Sequence, residues 1–595
     1  MPQCARSSGN EHHLDRTSDR GRRAAGRQQQ RPKYESDQSG HGGPASLVFV
    51  RTGGELVLDS LKAASIRTVF GIISVHNIPI FDAIAREGGV CLVPARSEHG
   101  ATTMADGYCR ATGEMAAVIT STGVGAANAA GPLLEAFVAN SPILHITGQV
   151  ESPYVEHDKG FLHGAKDQLG MLDRVSKAAL RAARTEDIPA TLRQAVHTAL
   201  SGRPGPVSVE IPIDQQYRSV EAEVTPIARP AAGAPDPSAI EEAAKLIARA
   251  QRPLIWSGGG TIAAGAGEAV RQLAERIGAG VLTSAAGRGA IPEDHAQCIG
   301  YFSLDAAIAE LYPQCDLLLA VGTRFRSNET RTWQLPLPSP RVQIDVAAEL
   351  IGRNYPVDVG VVGDARLAIE SLLQVVASRS NPEWLSAVSQ AKQAARARIR
   401  ATLGPYERIL DDLRESLGRD AIVVRDVTIP ASTWGGRLLE AYAPRTAMHS
   451  ATYAIGLGLS MAIGASIGRP DRQVVVLAGD GGFASGLAEV MTAAQERARV
   501  VVVLFNDGGY GILRNLQDAH FEGRRFGVDL ETPDYVELGR SFGVWSGQVR
   551  SSLEMRSQLN EALHAAGPAI LEIDMAAVGP QAVPFTGAAR LVPGR

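Results

Sequence analysis

Two continuous apolar runs, 473–478 and 499–505, are rich in valine and too short for helices, and between them Leu487, Val490, Met491 and Ala494 recur at helical spacing. This pattern predicts a βαβ unit. The crossover makes its strands parallel, and continuous hydrophobicity in place of alternation predicts that both faces of the sheet are covered. The same grammar recurs upstream. From Ser46 to about residue 222, the runs VCLVPA (90–95), AAVIT (116–120) and PILHIT (142–147) are separated by helical patterns. Residues 222–238 are rich in Pro and Ala and read as a linker. A second unit, 239–375, has candidate strands PLIWSG, DLLLAVG and RVQIDV, and residues 385–403, rich in Ala, Arg and Gln, predict a connecting helix. The third unit, 405–580, holds the opening pattern. The expected fold class is α/β, with three doubly wound parallel-sheet domains.

Composition narrows the classes of function. The 595 residues are 45% hydrophobic and 21% charged, with a net charge of −4 and pI near 6.4. Without a basic stripe or an apolar run of spanning length, nucleic acid and membrane are not expected partners. Cys4, Cys91, Cys109, Cys298 and Cys315 form no CxxC pair, which fits a reducing, cytoplasmic setting better than a disulfide framework or zinc site. Residues 1–45 hold almost no large apolar side chain and are expected to be a disordered tail. The tail has no apolar stretch of the secretory type, and Glu11, Asp15, Asp19, Glu35 and Asp37 argue against a transit peptide.

The chemistry sits where the strands end. Asp480 and Asp507 leave one edge of the predicted sheet at the carboxyl ends of neighbouring strands, where open α/β sheets bind ligands. Gly481 and Gly482 let backbone amides approach a phosphate at a helix start, and Mg²⁺ favours one or two carboxylates plus phosphate oxygens. An Asp-Gly pair alone is ordinary turn chemistry. In 95–114, ARSEHGATTMADGYCRATGE, Glu98 follows a strand in the first turn of a helix with Ser97 as its cap, a position that by itself only complements the helix dipole. Gly258-x-Gly260-x-x-Ala263 has the outline of a dinucleotide fingerprint, the basis for a nicotinamide-dependent oxidoreductase. No acidic ribose partner is clearly placed after the next strand, so the motif is weak.

The spacing of Gly479-Asp480-Gly481 and Asn506-Asp507, about two dozen residues apart, resembles the thiamine diphosphate (ThDP) signature. The segments 95–114 and 120–150 resemble the pyrimidine-binding domain of acetolactate synthase and its decarboxylase relatives, and similarity extends over roughly 48–580. The resemblance implies Mg²⁺ held by Asp480, Asp507 and the Gly509 carbonyl. Gly479, Gly481, Gly482, Tyr510 and Gly511 would lie around the cofactor, and Ile455 beneath it, with the backbone at Tyr453 and Ile455 bonding the pyrimidine. Glu98 matches the catalytic glutamate, whose carboxylate bonds the ring nitrogen N1′ and favours the imino tautomer that takes up the C2 proton. The family's sites join the first domain of one subunit to the last of another, which implies a homodimer or homotetramer.

Four departures bear on chemistry. Asp507 replaces the family's Asn. Ile73 and Ser74 replace a Pro-Gly, with His76 nearby as a candidate proton shuttle. In KGFLHGAKDQ, 159–168, Phe161 matches but Leu162 stands where acetolactate synthase has Gln, leaving His163 as an alternative polar group. GYFSLDA, 300–306, replaces the glycine-rich loop that touches FAD, which argues against bound FAD. The reaction implied is decarboxylation of a small-molecule 2-oxo acid with carboligation, acetolactate synthase-like. The alternative is a non-ligating decarboxylase of the benzoylformate type. Loss of the Gln also admits a non-catalytic homologue.

Overall fold

A computed structural model describes residues 50–157 and 159–586. The tail, 1–45, lies outside the described residues. Three six-stranded sheets carry the fold, and every strand pair within them is parallel. In spatial order the first sheet holds Cys91–Pro94, Thr68–Gly71, Ala116–Thr120, Ile143–Gln149, Val207–Pro212 and Ala178–Arg181. The second runs Cys298–Gly300, Gly280–Thr283, Pro253–Ser257, Leu317–Val321, Arg341–Asp345 and Val359–Val362. The third runs Ala447–His449, Ile422–Arg425, Val474–Gly479, Val500–Asn506, Ala569–Asp574 and Trp545–Val549. The expected α/β class is borne out. The runs at 116–120, 142–147, 473–478 and 499–505 become inner strands buried along their length, as their lack of alternation requires, whereas VCLVPA forms the half-buried edge strand Cys91–Pro94.

The βαβ unit differs in its crossover, which is two short helices, Asp480–Ser485 and Glu489–Gln495. Gly486, the poorest helix former after proline, caps the first piece and lies against the Gly456 carbonyl. Val490 is buried while Met491 is exposed, so the second piece turns only part of the predicted stripe inwards. The predicted connecting helix spans Pro382–Arg400, started by the Asn381 side chain accepting from the Trp384 amide. No strand or helix lies between Glu221 and Pro237. At the end of Pro253–Ser257, a Cβ on Gly258 would sit 2.2 Å from the Gly322 carbonyl oxygen and one on Gly260 2.6 Å from the Gly322 Cα. Packing between two strand ends therefore accounts for the Gly-x-Gly.

The first and last domains meet through two helices, Glu98–Thr112 and Gly458–Gly468. Glycines set the approach: a Cβ on Gly107 would lie 1.9 Å from the Met461 carbonyl oxygen, and one on Gly464 1.8 Å from that of Met104. Gly107→Ala is expected to force the helices apart and lower stability by about 1–3 kcal/mol or more, the range for overpacking, as read from thermal unfolding. Beside this crossing, buried Glu135 ion-pairs with Arg110 and accepts from the backbone amides of Ala451 and Thr452, while Arg110 donates to the His449 carbonyl. The first domain thus grips the strand end that leads to Tyr453.

Candidate functional site

Residue-by-residue pairing of Val474–Gly479 with Val500–Asn506 brings Asp480 and Asp507 out at one edge of the third sheet. Asp480 is buried, and its Oδ2 has no hydrogen-bond partner among the described residues. Burial raises its pKa. Asp507 is pushed up to about 6, first by burial and then by the neighbouring negative charge of Asp480. Arg514 opposes the rise only partly, its Nη1 standing 3.8 Å from Asp507 Oδ2.

Two glycines keep this edge open. A Cβ on Gly511 would fall 1.7 Å from Asp507 Oδ2, and one on Gly481 2.7 Å from the Tyr510 ring. Gly479 precedes the helix Asp480–Ser485 as its cap, and Gly482 lies within that helix facing Asp426. Gly509 bridges to Asp529 across a short antiparallel contact. Among the described residues no group of three or more His, Cys, Asp or Glu side chains could hold a metal ion. The protein's share is therefore two carboxylates forced together, one with an unpaired oxygen. That donor set suits a divalent cation completed by carbonyl, phosphate or water oxygens, as Mg²⁺ prefers.

A second group gathers around the turn 122–125 in the first domain. Glu98 opens its helix, capped by Ser97, whose oxygen accepts from the Gly100 amide. The Glu98 Oε2 accepts from Asn128 Nδ2 at 3.1 Å, and Oε1 lies 2.9 Å from where a Cβ on Gly125 would stand. His76 is buried with Nδ1 unpartnered among the described residues, its ring edge-on to that of His163 at 5.6 Å. Burial, then the nearby His163, lowers the His76 pKa. His163 is exposed on a left-handed backbone (φ 60°), and its carbonyl would meet a Cβ on Gly123 at 1.9 Å. Phe161 stacks on Tyr154 at 4.6 Å, while Leu162 points outwards, 66% exposed.

The fold thus joins Glu98, His76 and His163 in one neighbourhood and Asp480 and Asp507 in another. Among the described residues no hydrogen bond or ion pair links Glu98 to the Asp480–Asp507 edge of the same chain. Tyr453 and Ile455 lie between secondary-structure elements, 48% and 42% exposed, and Tyr453 takes a left-handed backbone (φ 62°). Buried Asp426 pins this loop by accepting from the Gly456 and Gly458 amides.

Several contributors lie beyond single-segment patterns. Gln168 bonds the Gly123 amide, Thr122, the Gly148 carbonyl and Glu210, holding the turn from beneath. Glu489, from the last domain, accepts from Ser97 Oγ and the Arg96 amide and so fixes the Glu98 loop. Their partners lie 45 and 392 residues away, and no local spacing announces such pairs. Cys109, Cys298 and Cys315 are free and buried, and burial raises each thiol pKa. No helix among the described residues is long and apolar enough to cross a membrane.

Comparison with known proteins matches residues 51–171 to the thiamine pyrophosphate enzyme N-terminal TPP binding domain, 240–372 to the central domain and 430–573 to the C-terminal TPP binding domain. Thiamine pyrophosphate is ThDP. A probable acetolactate synthase large subunit of Methanocaldococcus jannaschii is 30% identical over 545 residues, 88% of this chain and 91% of that protein. A probable 2-ketoarginine decarboxylase of Pseudomonas aeruginosa is 32% identical over 537 residues, 88% of this chain and 94% of that protein. An acetolactate synthase large subunit of Parasynechococcus marenigrum is 31% identical over 549 residues, 88% and 87% respectively.

Proposed function

The chain belongs to the thiamine pyrophosphate enzyme family, and we propose that it decarboxylates a 2-oxo acid and ligates the remaining fragment to a second carbonyl compound, in the manner of acetolactate synthase. One observation carries the assignment of the site. Asp480 and Asp507 are forced together at a sheet edge, with an unpaired Asp480 oxygen that a cation would satisfy. In this reading Asp480, Asp507 and the Gly509 carbonyl hold Mg²⁺, and Gly479, Gly481, Gly482, Tyr510 and Gly511 surround the diphosphate. Tyr453 and Ile455 support the rings. When bound, ThDP supplies a carbon nucleophile and an electron sink for decarboxylation. Glu98 holds a carboxylate against the pyrimidine nitrogen, and His76 with His163 moves protons at the substrate side.

The family resemblance underlies the further reading that the protein is a homodimer or homotetramer in which the two halves of a site come from different subunits, working in the cytoplasm. The 2-ketoarginine decarboxylase likeness and Leu162 favour a second reading, simple decarboxylation to an aldehyde. Purified protein with ThDP, Mg²⁺ and pyruvate is expected to release CO₂ and form acetolactate. Release of CO₂ from pyruvate and from a panel of 2-oxo acids, with aldehydes as the only organic products, would establish the second reading instead. Absence of CO₂ from every substrate after ThDP reconstitution would defeat both.

A further inference from the structure

Gln168 stands where three loops of the candidate site meet. Its side chain is buried and uses every hydrogen-bonding position it has. Oε1 accepts from the Gly123 amide at 2.6 Å and from the Thr122 hydroxyl at 2.9 Å, while Nε2 donates to the Gly148 carbonyl and to Glu210, both at 3.0 Å. Both backbone partners stand against loops of the site. A Cβ on Gly123 would meet the His163 carbonyl oxygen, and two residues on, one on Gly125 would lie 2.9 Å from Glu98 Oε1. Gly148 lies under the loop of His76, where a Cβ would sit 2.2 Å from the His76 carbonyl oxygen. One side-chain amide therefore ties the loops bearing His76 and His163 to the turn beside Glu98.

That amide works in one orientation only. Turned over about its last bond, it would set its NH2 against the Gly123 amide and its oxygen against the Gly148 carbonyl, donor facing donor and acceptor facing acceptor. Glu210 secures the working orientation. It is buried on the strand Val207–Pro212, and a carboxylate only accepts. Its Oε2 takes hydrogen bonds from Nε2 of Gln168 and of Gln149, whereas Oε1 pairs with Arg181. Hydrogen bonds to a charged acceptor are about twice as strong as neutral ones, so the Gln168 Nε2 is drawn towards Glu210 and Oε1 is left facing Gly123.

We propose that Gln168, oriented by Glu210, is the positioning residue that keeps Glu98, His76 and His163 in register with one another. It touches no reacting atom and acts through the backbone of the three loops. An apolar side chain at 168 would leave a buried amide, a carbonyl and a carboxylate short of partners at once, and the loops would have to part for water to reach them. Misplacing a catalytic group by about 1 Å costs up to about 100-fold in rate.

The proposal rests on the reading of Glu98 and the two histidines as the reacting side of the site, and its test therefore begins without cofactor. Gln168→Leu removes all four hydrogen bonds. Glu210→Gln keeps the volume and Gln168 itself, but the new amide turns its oxygen to Arg181 and its NH2 to Gln168 Nε2, donor against donor. Hydrogen exchange of the segment 121–128 is measured by mass spectrometry on the full chain without ThDP, and CO₂ release is then followed against ThDP concentration with Mg²⁺ present. We expect exchange across 121–128 to quicken at least about tenfold in Gln168→Leu and by a smaller factor in Glu210→Gln. In Gln168→Leu kcat should fall about 10–100-fold. The ThDP concentration at half-saturation should stay within about threefold of wild type, because Asp480 and Asp507 lie on the last domain, and general loosening of the fold would not give that split. Glu210→Gln remains informative if Gln168→Leu does not fold. Wild-type exchange in Glu210→Gln, faster exchange beside a wild-type kcat in either variant, or a fall in kcat matched by an equal loss of ThDP affinity overturns the proposal. Faster exchange in a protein that releases no CO₂ would leave the tie between the loops standing and the proposed reaction fallen.

Discussion

Glu98→Gln is expected to lower turnover by about 10²–10⁴-fold, the span of a lost acid–base contribution, while ThDP binding and folding stay close to wild type. The geometry makes this separation reasonable. Glutamine fills the same volume beside Gly125 and retains an oxygen that can accept from Asn128 Nδ2. The Ser97 cap and the Glu489 clamp on Ser97 do not use the Glu98 side chain. What the amide removes is the negative charge required to favour the protonated pyrimidine nitrogen. Steady-state kinetics, a ThDP titration by tryptophan fluorescence and a thermal melt together check the claim. A variant that turns over at the wild-type rate would remove Glu98 from the chemistry. A large fall in melting temperature would instead make it a structural residue.

Glu98 also marks how far sequence reaches. Its place in the first turn of a helix after a strand follows from the apolar run before it and the Ser97 cap, and the structure has that arrangement. The central strands around Asp480 and Asp507 were equally legible, since a buried parallel strand must be apolar throughout and must end where polar residues begin. The break at Gly486 was not, because the helical spacing of Leu487, Val490 and Met491 survives a short interruption. Nor was the Gly258-x-Gly260 packing, which depends on Gly322 beyond another strand. The clamps made by Glu489 on Ser97 and by Glu135 on Ala451 and Thr452 join residues separated by 392, 316 and 317 positions. Such contacts are consequences of domain packing, and local periodicity carries no signal for them.

Asp480→Ala is expected to weaken Mg²⁺-dependent ThDP binding at least 100-fold, whereas Asp507→Asn should keep the cofactor and activity with altered Mg²⁺ affinity. The two positions differ in what substitution removes. Alanine at 480 deletes the buried carboxylate whose Oδ2 awaits a partner, while asparagine at 507 keeps an oxygen donor and removes only charge. The apoprotein offers an independent measurement. Asp507 has its pKa raised from 3.8 to about 6 by burial and by Asp480, so folding disfavours its ionised form. As pH rises from about 4, the unfolded chain releases this proton first. The destabilisation therefore develops between about pH 4 and 6 and persists above, amounting to about 2–3 kcal/mol at most. Asp507→Asn abolishes this contribution. Without metal it should melt above wild type at pH 7–8 and lose that advantage near pH 4. Saturating Mg²⁺ and ThDP should narrow the gap by neutralising the carboxylate pair in wild type. If Asp507→Asn melts below wild type without metal at pH 8, the ionised Asp507 carboxylate is not destabilised by burial and Asp480 in the folded chain. If it loses ThDP as fully as Asp480→Ala, the charge of Asp507, beyond its oxygen, is needed to hold the metal.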